Sequence, residues 1–227
     1  MKYLKKLFLS LKEIFIMMII QYVLLIATIV IFGIDKSIII GMLILLFVYI
    51  IYIVFKCKKN IIYVTEVSYF PYLLLGISVA VTYNMLIFKL GINGEVNTSV
   101  PIILNIISSG IVGPIFEEFL FRYDLIKRLK KFNSSNFIII LLAGFIFAIF
   151  HNNIITIIYA LLVGIINSYL YLKKNNIIVP IIIHMSGNII ATILIEYNFL
   201  ILFFGIILLL ISIILIKKDN CSKWHLF

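Results

Sequence analysis

The sequence predicts an all-α integral-membrane protein, a bundle of about eight transmembrane helices in one domain covering residues 1–227. Of its residues, 64% are hydrophobic and 12% are charged, whereas soluble domains are about half apolar and about a quarter charged. Apolar runs of about 18 residues or more, long enough to cross the hydrocarbon core as a helix, recur along the chain. Because lipid satisfies no backbone polar group, these runs must form helices.

Hydropathy divides the chain into eight consecutive apolar segments. The first follows a basic start and resembles a signal peptide, but it is longer than the ~7–15 apolar residues of a signal core, so we interpret it as a retained helix. The fifth and sixth segments meet near His151 without a charged loop. The predicted spans are approximately 14–33, 38–55, 69–88, 100–121, 136–153, 154–172, 177–196 and 199–216.

The formal charge of +10 is distributed in a membrane pattern. Lys and Arg cluster before the first segment and after the second, fourth, sixth and eighth, while the alternate gaps contain only Lys36 and Lys89. This positive-inside arrangement predicts that both termini are cytoplasmic, and it argues against a nucleic-acid partner. The frequent Ile, Asn and Lys are typical of an AT-rich genome, so we expect a multi-pass protein of a bacterial cell membrane.

A few ionisable and amide side chains interrupt the apolar segments. A charge at the bilayer centre costs roughly 2.5–3.5 kcal/mol, so such residues face a protein interior and are functional by default. Their spacing repeats, because Glu118 and Arg122, Phe147 and His151, and His184 and Asn188 each stand four residues apart and share a helix face. The polar set is Glu117, Glu118, Arg122, His151, His184 and Asn188.

These residue types fit hydrolysis by activated water. A carboxylate and an imidazole across a cavity can hold a water and remove its proton. A second His with an Asn one turn away can donate hydrogen bonds to a developing oxyanion. We expect Arg122 to keep Glu118 ionised in a structural pair, which leaves Glu117 as the base for hydrolysis, preferably of an amide.

Structural alternatives exist for each group. The Glu117, Glu118 and Arg122 group can be an ion-pair cluster that fixes helix register. His151 can be a residue of the outer interface, and His184 with Asn188 can be an interhelical hydrogen-bond pair.

Three stretches carry a family resemblance: "EEFLFR" (117–122), "FAIFH" (147–151) and "HMSGN" (184–188). They resemble the EExxxR, FxxxH and HxxxN motifs of the CPBP intramembrane proteases, also called the CAAX-protease and bacteriocin-processing or Abi family. The motif core covers about residues 100–196. The resemblance implies a glutamate-type endopeptidase whose motif helices surround a cavity open to the cytoplasm and the membrane.

The resemblance also assigns roles. Glu117 with His151 would activate water, and His184 with Asn188 would form the oxyanion hole. Glu118, Arg122 and Phe147 would support them. The family was long considered zinc-dependent, and Glu117, His151 and His184 offer three ligands with water as a fourth. Because the sequence contains no HExxH motif, we prefer a mechanism without a cofactor.

Three functions remain open from the sequence. The first is an intramembrane endopeptidase acting on a hydrophobic or membrane-associated peptide or protein, with bacteriocin immunity or peptide-signal processing as its setting. The second is a non-catalytic scaffold or immunity protein that binds a peptide or a sensor partner in the same cavity. The third is a proton-coupled transporter. The absence of internal repeats in the sequence argues against this function. The substrate and the oligomeric state do not follow from the sequence.

Overall fold

The computed structural model describes residues 2–58, 65–92, 101–131, 135–194 and 196–221. All regular structure in these ranges is helical, which confirms the predicted membrane bundle. Six segments are long and apolar enough to cross a membrane, and α4 and α6 are shorter apolar helices. The helices are α1 (Lys2–Lys58), α2 (Phe70–Lys89), α3 (Ile102–Lys130), α4 (Asn136–Ala148), α5 (Ile154–Lys174), α6 (Ile178–Ile193) and α7 (Phe199–Cys221).

The N-terminal helix α1 folds back on itself at Gly33. Gly33 has φ 76° and ψ 168°, a backbone conformation open to glycine and costly for other residues. The two arms face each other, because the Gln21 amide donates to the Tyr49 hydroxyl. A Cβ placed on Gly41 would lie 3.3 Å from Thr28 Oγ1. The first two predicted spans are therefore the arms of one antiparallel hairpin.

The third helix runs farther than the sequence indicated. The predicted span 100–121 stops before the structural end of α3, which continues to Lys130. The additional turns bury Leu125, Ile126 and Leu129 in the largest apolar core, together with residues of α1 and α4. Apolar burial thus extends the helix past the ionisable residues that suggested its end.

The fourth helix ends earlier than predicted. The expected span 136–153 is helical only from Asn136 to Ala148, after which the chain turns through residues 149–153. Two backbone hydrogen bonds that span three residues close this helix end, from Phe150 N to Phe147 O and from His151 N to Ala148 O. Asn153 then starts α5, because its side-chain oxygen accepts from the Thr156 N–H at 2.8 Å, which is an N-cap.

Small residues allow the central helices to approach closely. A Cβ on Gly164 of α5 would lie 3.0 Å from Gly144 Cα of α4. A Cβ on Gly76 of α2 would lie 2.2 Å from the Ile183 carbonyl oxygen of α6. Helix α6 packs against α2, α3 and α5. This central position puts the polar side chains of α6 next to those of α3.

A group of four partly exposed charges, here called the rim cluster, joins both arms of α1 to the last turns of α3. Lys56 Nζ lies 3.4 Å from Glu13 Oε2 and 3.3 Å from Asp124 Oδ1. Arg128 lies 2.9 Å from both Glu13 and Asp124. These residues belong to the basic ends that the positive-inside pattern assigns to the cytoplasm, and that assignment stays a prediction.

Candidate active site

The helix that carries both glutamates is widened on either side of them. The stretches Ile106–Val112 and Phe119–Leu125 of α3 have π-helical turns, which frequently mark functional sites. Pro114 explains the first widening, because proline has no N–H and its ring clashes with the preceding turn of an α-helix. The N–H of Gly113 reaches back five residues to Ser108 O.

Asn188 of α6 binds this widened turn. Its side-chain N–H donates to Ser109 O at 2.9 Å. In a π-helical turn the partner of Ser109 O would be the N–H of residue 114, which proline lacks. Asn188 therefore satisfies a carbonyl that Pro114 leaves free. The Asn188 amide has two N–H bonds, so one of them remains for another acceptor.

Glu118 and Arg122 form an ion pair in the interior of the bundle. Both side chains are fully buried, with Arg122 Nε 3.0 Å from Glu118 Oε2. Among the described residues, the Arg122 guanidinium has no well-aligned hydrogen-bond acceptor. It lies 4.5 Å above the Phe147 ring centroid, a cation–π distance. Arg122 is thus paired with Glu118, as predicted, and the Glu118 carboxylate balances the charge of Arg122 inside the protein.

His184 lies between the two neighbouring carboxylates. Its Nδ1 is 2.8 Å from Glu118 Oε1, and its Nε2 is 3.8 Å from Glu117 Oε2. Since an ionised carboxylate only accepts hydrogen bonds, Nδ1 of His184 carries the proton shared with Glu118. This bond fixes the orientation of the ring, and Nε2 then points towards Glu117. Carboxylates commonly orient histidine rings in this way.

Asn167 of α5 is a member of this site that the sequence analysis missed. It is fully buried, and its side-chain N–H group donates to Glu118 Oε1 at 3.1 Å and to Pro180 O at 3.3 Å. Glu118 therefore contacts side chains of three helices, α3, α5 and α6. Asn167 belongs to no motif, and the only signal for it in the sequence is an Asn in the middle of an apolar run.

We call the buried group of Glu118, Arg122, His184 and Asn167 the polar node. Glu117 differs from it in exposure, because 36% of its side chain is accessible. The 3.8 Å separation from His184 Nε2 exceeds a direct hydrogen bond. Glu117 is therefore the carboxylate of the pair that can reach a water or a substrate.

Phe147 connects the two histidines. Its ring is buried, and its centroid lies 5.0 Å from that of His151 and 5.6 Å from that of His184, both edge to face. His151 lies in the turn after α4, where its Nδ1 is 3.2 Å from Phe147 O. A carbonyl only accepts, so Nδ1 donates and the neutral ring keeps a lone pair on Nε2. His151 makes no ion pair with Glu117 among the described residues, so the predicted partnership of Glu117 with His151 stays a prediction.

The structure thus connects Glu118, Arg122, Phe147 and His184 through successive contacts. Glu117 approaches this group at His184, and His151 approaches it at Phe147. In the described part of the chain, no group of three His, Cys, Asp or Glu side chains is arranged to hold a metal ion. Glu117, His151 and His184, the possible zinc ligands named from the sequence, do not form such a group among these residues. The preference for a mechanism without a cofactor stays a prediction.

Comparison with known proteins finds a family model that is similar to the segment carrying this site. Residues 99–190 match the family model described as "Type II CAAX prenyl endopeptidase Rce1-like". The match includes all seven residues that the sequence analysis selected and covers less than half of the chain. No curated protein and no solved structure matches the chain.

Proposed function

We propose that the chain is an intramembrane endopeptidase that hydrolyses a peptide bond with water activated by Glu117. The match of residues 99–190 to the Rce1-like family model supports this proposal. Peptidase chemistry follows from the family. The glutamate mechanism, the roles of individual residues and the substrate are our proposal. One observation carries it: of two adjacent carboxylates, Glu118 is fully buried and paired, whereas Glu117 is accessible and lies 3.8 Å from a fixed imidazole.

In the proposed mechanism, Glu117 takes a proton from a water that attacks the scissile carbonyl. General-base catalysis of this kind contributes about 10²–10⁴-fold to the rate. The lone pair on Nε2 of His151 can accept a hydrogen bond from the same water. Protonated Glu117 then returns its proton to the leaving amine when the C–N bond breaks.

His184 and Asn188 would stabilise the oxyanion. With Nδ1 donating to Glu118, an imidazolium at His184 has its Nε2–H directed towards Glu117, beside which the reacting carbonyl would bind. Its charge is balanced at this step, because Glu117 has taken the proton and the two negative charges of Glu118 and the oxyanion face the two cations Arg122 and His184. The second N–H of Asn188 is a further donor, and removal of a single such donor typically costs about 10²–10³ in kcat.

The substrate would be a hydrophobic or membrane-associated peptide or protein. The family description names a CAAX prenyl endopeptidase, and a site between membrane helices suits a lipid-linked peptide. For a bacterial cell membrane, a bacteriocin precursor or a peptide signal is the substrate that we favour, so the biological setting would be immunity or signalling.

The test compares peptides from cells that produce wild-type protein or Glu117→Gln at matched membrane levels. Gln keeps the size of the side chain but cannot accept the proton, so we expect wild-type-specific peptides to disappear. Glu196→Gln, a change at an exposed carboxylate in the loop before α7, is the matched control and should leave the peptides unchanged. Mass spectrometry of membrane and medium fractions provides the readout.

Identical peptide profiles for wild type and Glu117→Gln would overturn the proposal. If the phenotype of the native host were preserved as well, the scaffold or immunity-protein alternative would be favoured, because binding does not need a base at residue 117.

A further inference from the structure

We propose that the groove between α2, α5 and α7 binds one anionic phospholipid, with its acyl chain along the apolar walls and its phosphate between Lys173 and Lys217. The groove has a volume of about 570 Å³, which is in the range of ligand-binding cavities. None of the residues of the candidate active site lines it. The proposal is therefore independent of the peptidase mechanism.

The walls of the groove are apolar and accessible from the side of the bundle. Leu86 of α2 and Leu162 of α5 are 47% and 48% exposed, and both line the groove. Along α2 the lining extends from Leu75 to Leu86, eleven helical steps, or ~16 Å at the helical rise. An acyl chain has this elongated shape and this chemistry.

One end of the groove is basic. Helices α5 and α7 both end near the start of α2, because the Lys174 ammonium lies 2.7 Å from Asp219, which also accepts from the Tyr72 hydroxyl. Lys173 and Lys217 line the groove at this same end and are exposed.

The charge at this end favours an anion. The carboxylate of Asp219 is already paired with Lys174, so that pair is neutral. Glu66 also belongs to this end, because its neighbour Thr65 donates to Lys174 O. With Lys173 and Lys217 lining the groove here, the basic side chains still exceed the one remaining carboxylate. Basic pockets between transmembrane helices on the cytoplasmic side bind anionic lipid headgroups, and this end carries the basic residues of the positive-inside pattern.

The experiment exposes the purified full-length chain in detergent to equal amounts of phosphatidylglycerol and phosphatidylcholine with the same acyl chains. Native mass spectrometry then counts the lipid that stays bound. We expect phosphatidylglycerol to be retained preferentially. Each change, Lys173→Gln or Lys217→Gln, should weaken that retention about five-fold, which corresponds to ~1 kcal/mol per lysine near an anionic lipid.

Two controls separate the groove from the general positive charge. The double variant Lys130→Gln with Lys131→Gln removes the same charge from exposed residues outside the groove and should retain phosphatidylglycerol normally. Leu162→Trp fills the groove without a change of charge and should reduce the bound phosphatidylglycerol. Equal thermal midpoints of all variants show that the fold is intact.

Equal retention of the two lipids by the wild type would overturn the proposal, because it would show that the basic end does not select the headgroup. Undiminished phosphatidylglycerol binding by the Lys173→Gln, Lys217→Gln double variant would overturn it as well, as would a loss of equal size in the Lys130→Gln, Lys131→Gln control.

Discussion

Two carboxylate–arginine pairs on the same helix, both with i,i+4 spacing, have different environments. Glu118 and Arg122 in the polar node are fully buried. The side chains of Asp124 and Arg128 in the rim cluster are 12% and 25% exposed. Asp124 also pairs with Lys56, and Arg128 also pairs with Glu13. The two pairs therefore have the same spacing in the sequence. They differ in burial and in the number of further charged partners, and these differences determine the role of each pair.

The difference has an energetic consequence. Breaking a buried pair leaves an uncompensated charge in a medium that cannot solvate it, which costs about 3–5 kcal/mol. In the rim cluster the remaining charges can turn to water or to another partner, and such pairs contribute about 0–1 kcal/mol. Substitutions in the polar node are thus expected to be costly, and the same buried pair includes the carboxylate that orients His184.

The largest effect on stability is expected from Arg122→Gln. This change leaves buried Glu118 without its cation and should lower the apparent free energy of unfolding by about 3–5 kcal/mol. Arg128→Gln, the matched change in the rim cluster, should cost about 1 kcal/mol or less. Thermal unfolding in one detergent measures both. An equal loss of unfolding free energy in the two variants would contradict the proposed difference between the polar node and the rim cluster.

A middle-sized effect is expected from Asn167→Ala. This change removes the donor to Glu118 Oε1, and hydrogen bonds to charged groups contribute about 1.5–3 kcal/mol. Peptide cleavage should also fall at temperatures where the variant is folded, because Glu118 then holds His184 less firmly. Asn136→Ala, at an exposed residue of α4, is the control and should change neither quantity. If Asn167→Ala changed neither stability nor peptide cleavage, Asn167 would not contribute to the candidate active site.

The smallest effect is expected within the rim cluster. Lys56→Gln should reduce stability by less than about 1 kcal/mol, and the reduction should shrink as salt is raised, because partly exposed charges are screened. Unfolding midpoints measured at low and high salt test this. A large loss that does not depend on salt would show that the rim cluster behaves like the polar node.

Much of the fold follows from the sequence, because hydropathy alone determines which segments are helical in a membrane. All eight predicted segments correspond to helix. The errors lie at the ends of α3 and α4, which are set by packing of Leu125, Ile126 and Leu129 and by the turn at His151. Hydropathy does not contain those tertiary contacts.

The candidate site follows from the sequence in part. The i,i+4 spacing selects Glu118 with Arg122, and the cost of buried charge indicates that the polar residues converge. Spacing does not show that His184 bonds Glu118 and faces Glu117, since this depends on how α6 lies against α3. Asn167 was missed because a single Asn in an apolar helix has no pattern, and only the fold places it beside Glu118.

The central claim is that Glu117 performs chemistry while Glu118 maintains structure. The most direct measurement follows thermal unfolding and peptide cleavage together for Glu117→Gln and Glu118→Gln in the same membranes. We predict that Glu117→Gln unfolds like the wild type, within about 0.5 kcal/mol as for other accessible residues, and has lost cleavage, whereas Glu118→Gln is destabilised. Retained cleavage by a stable Glu117→Gln protein would contradict this account.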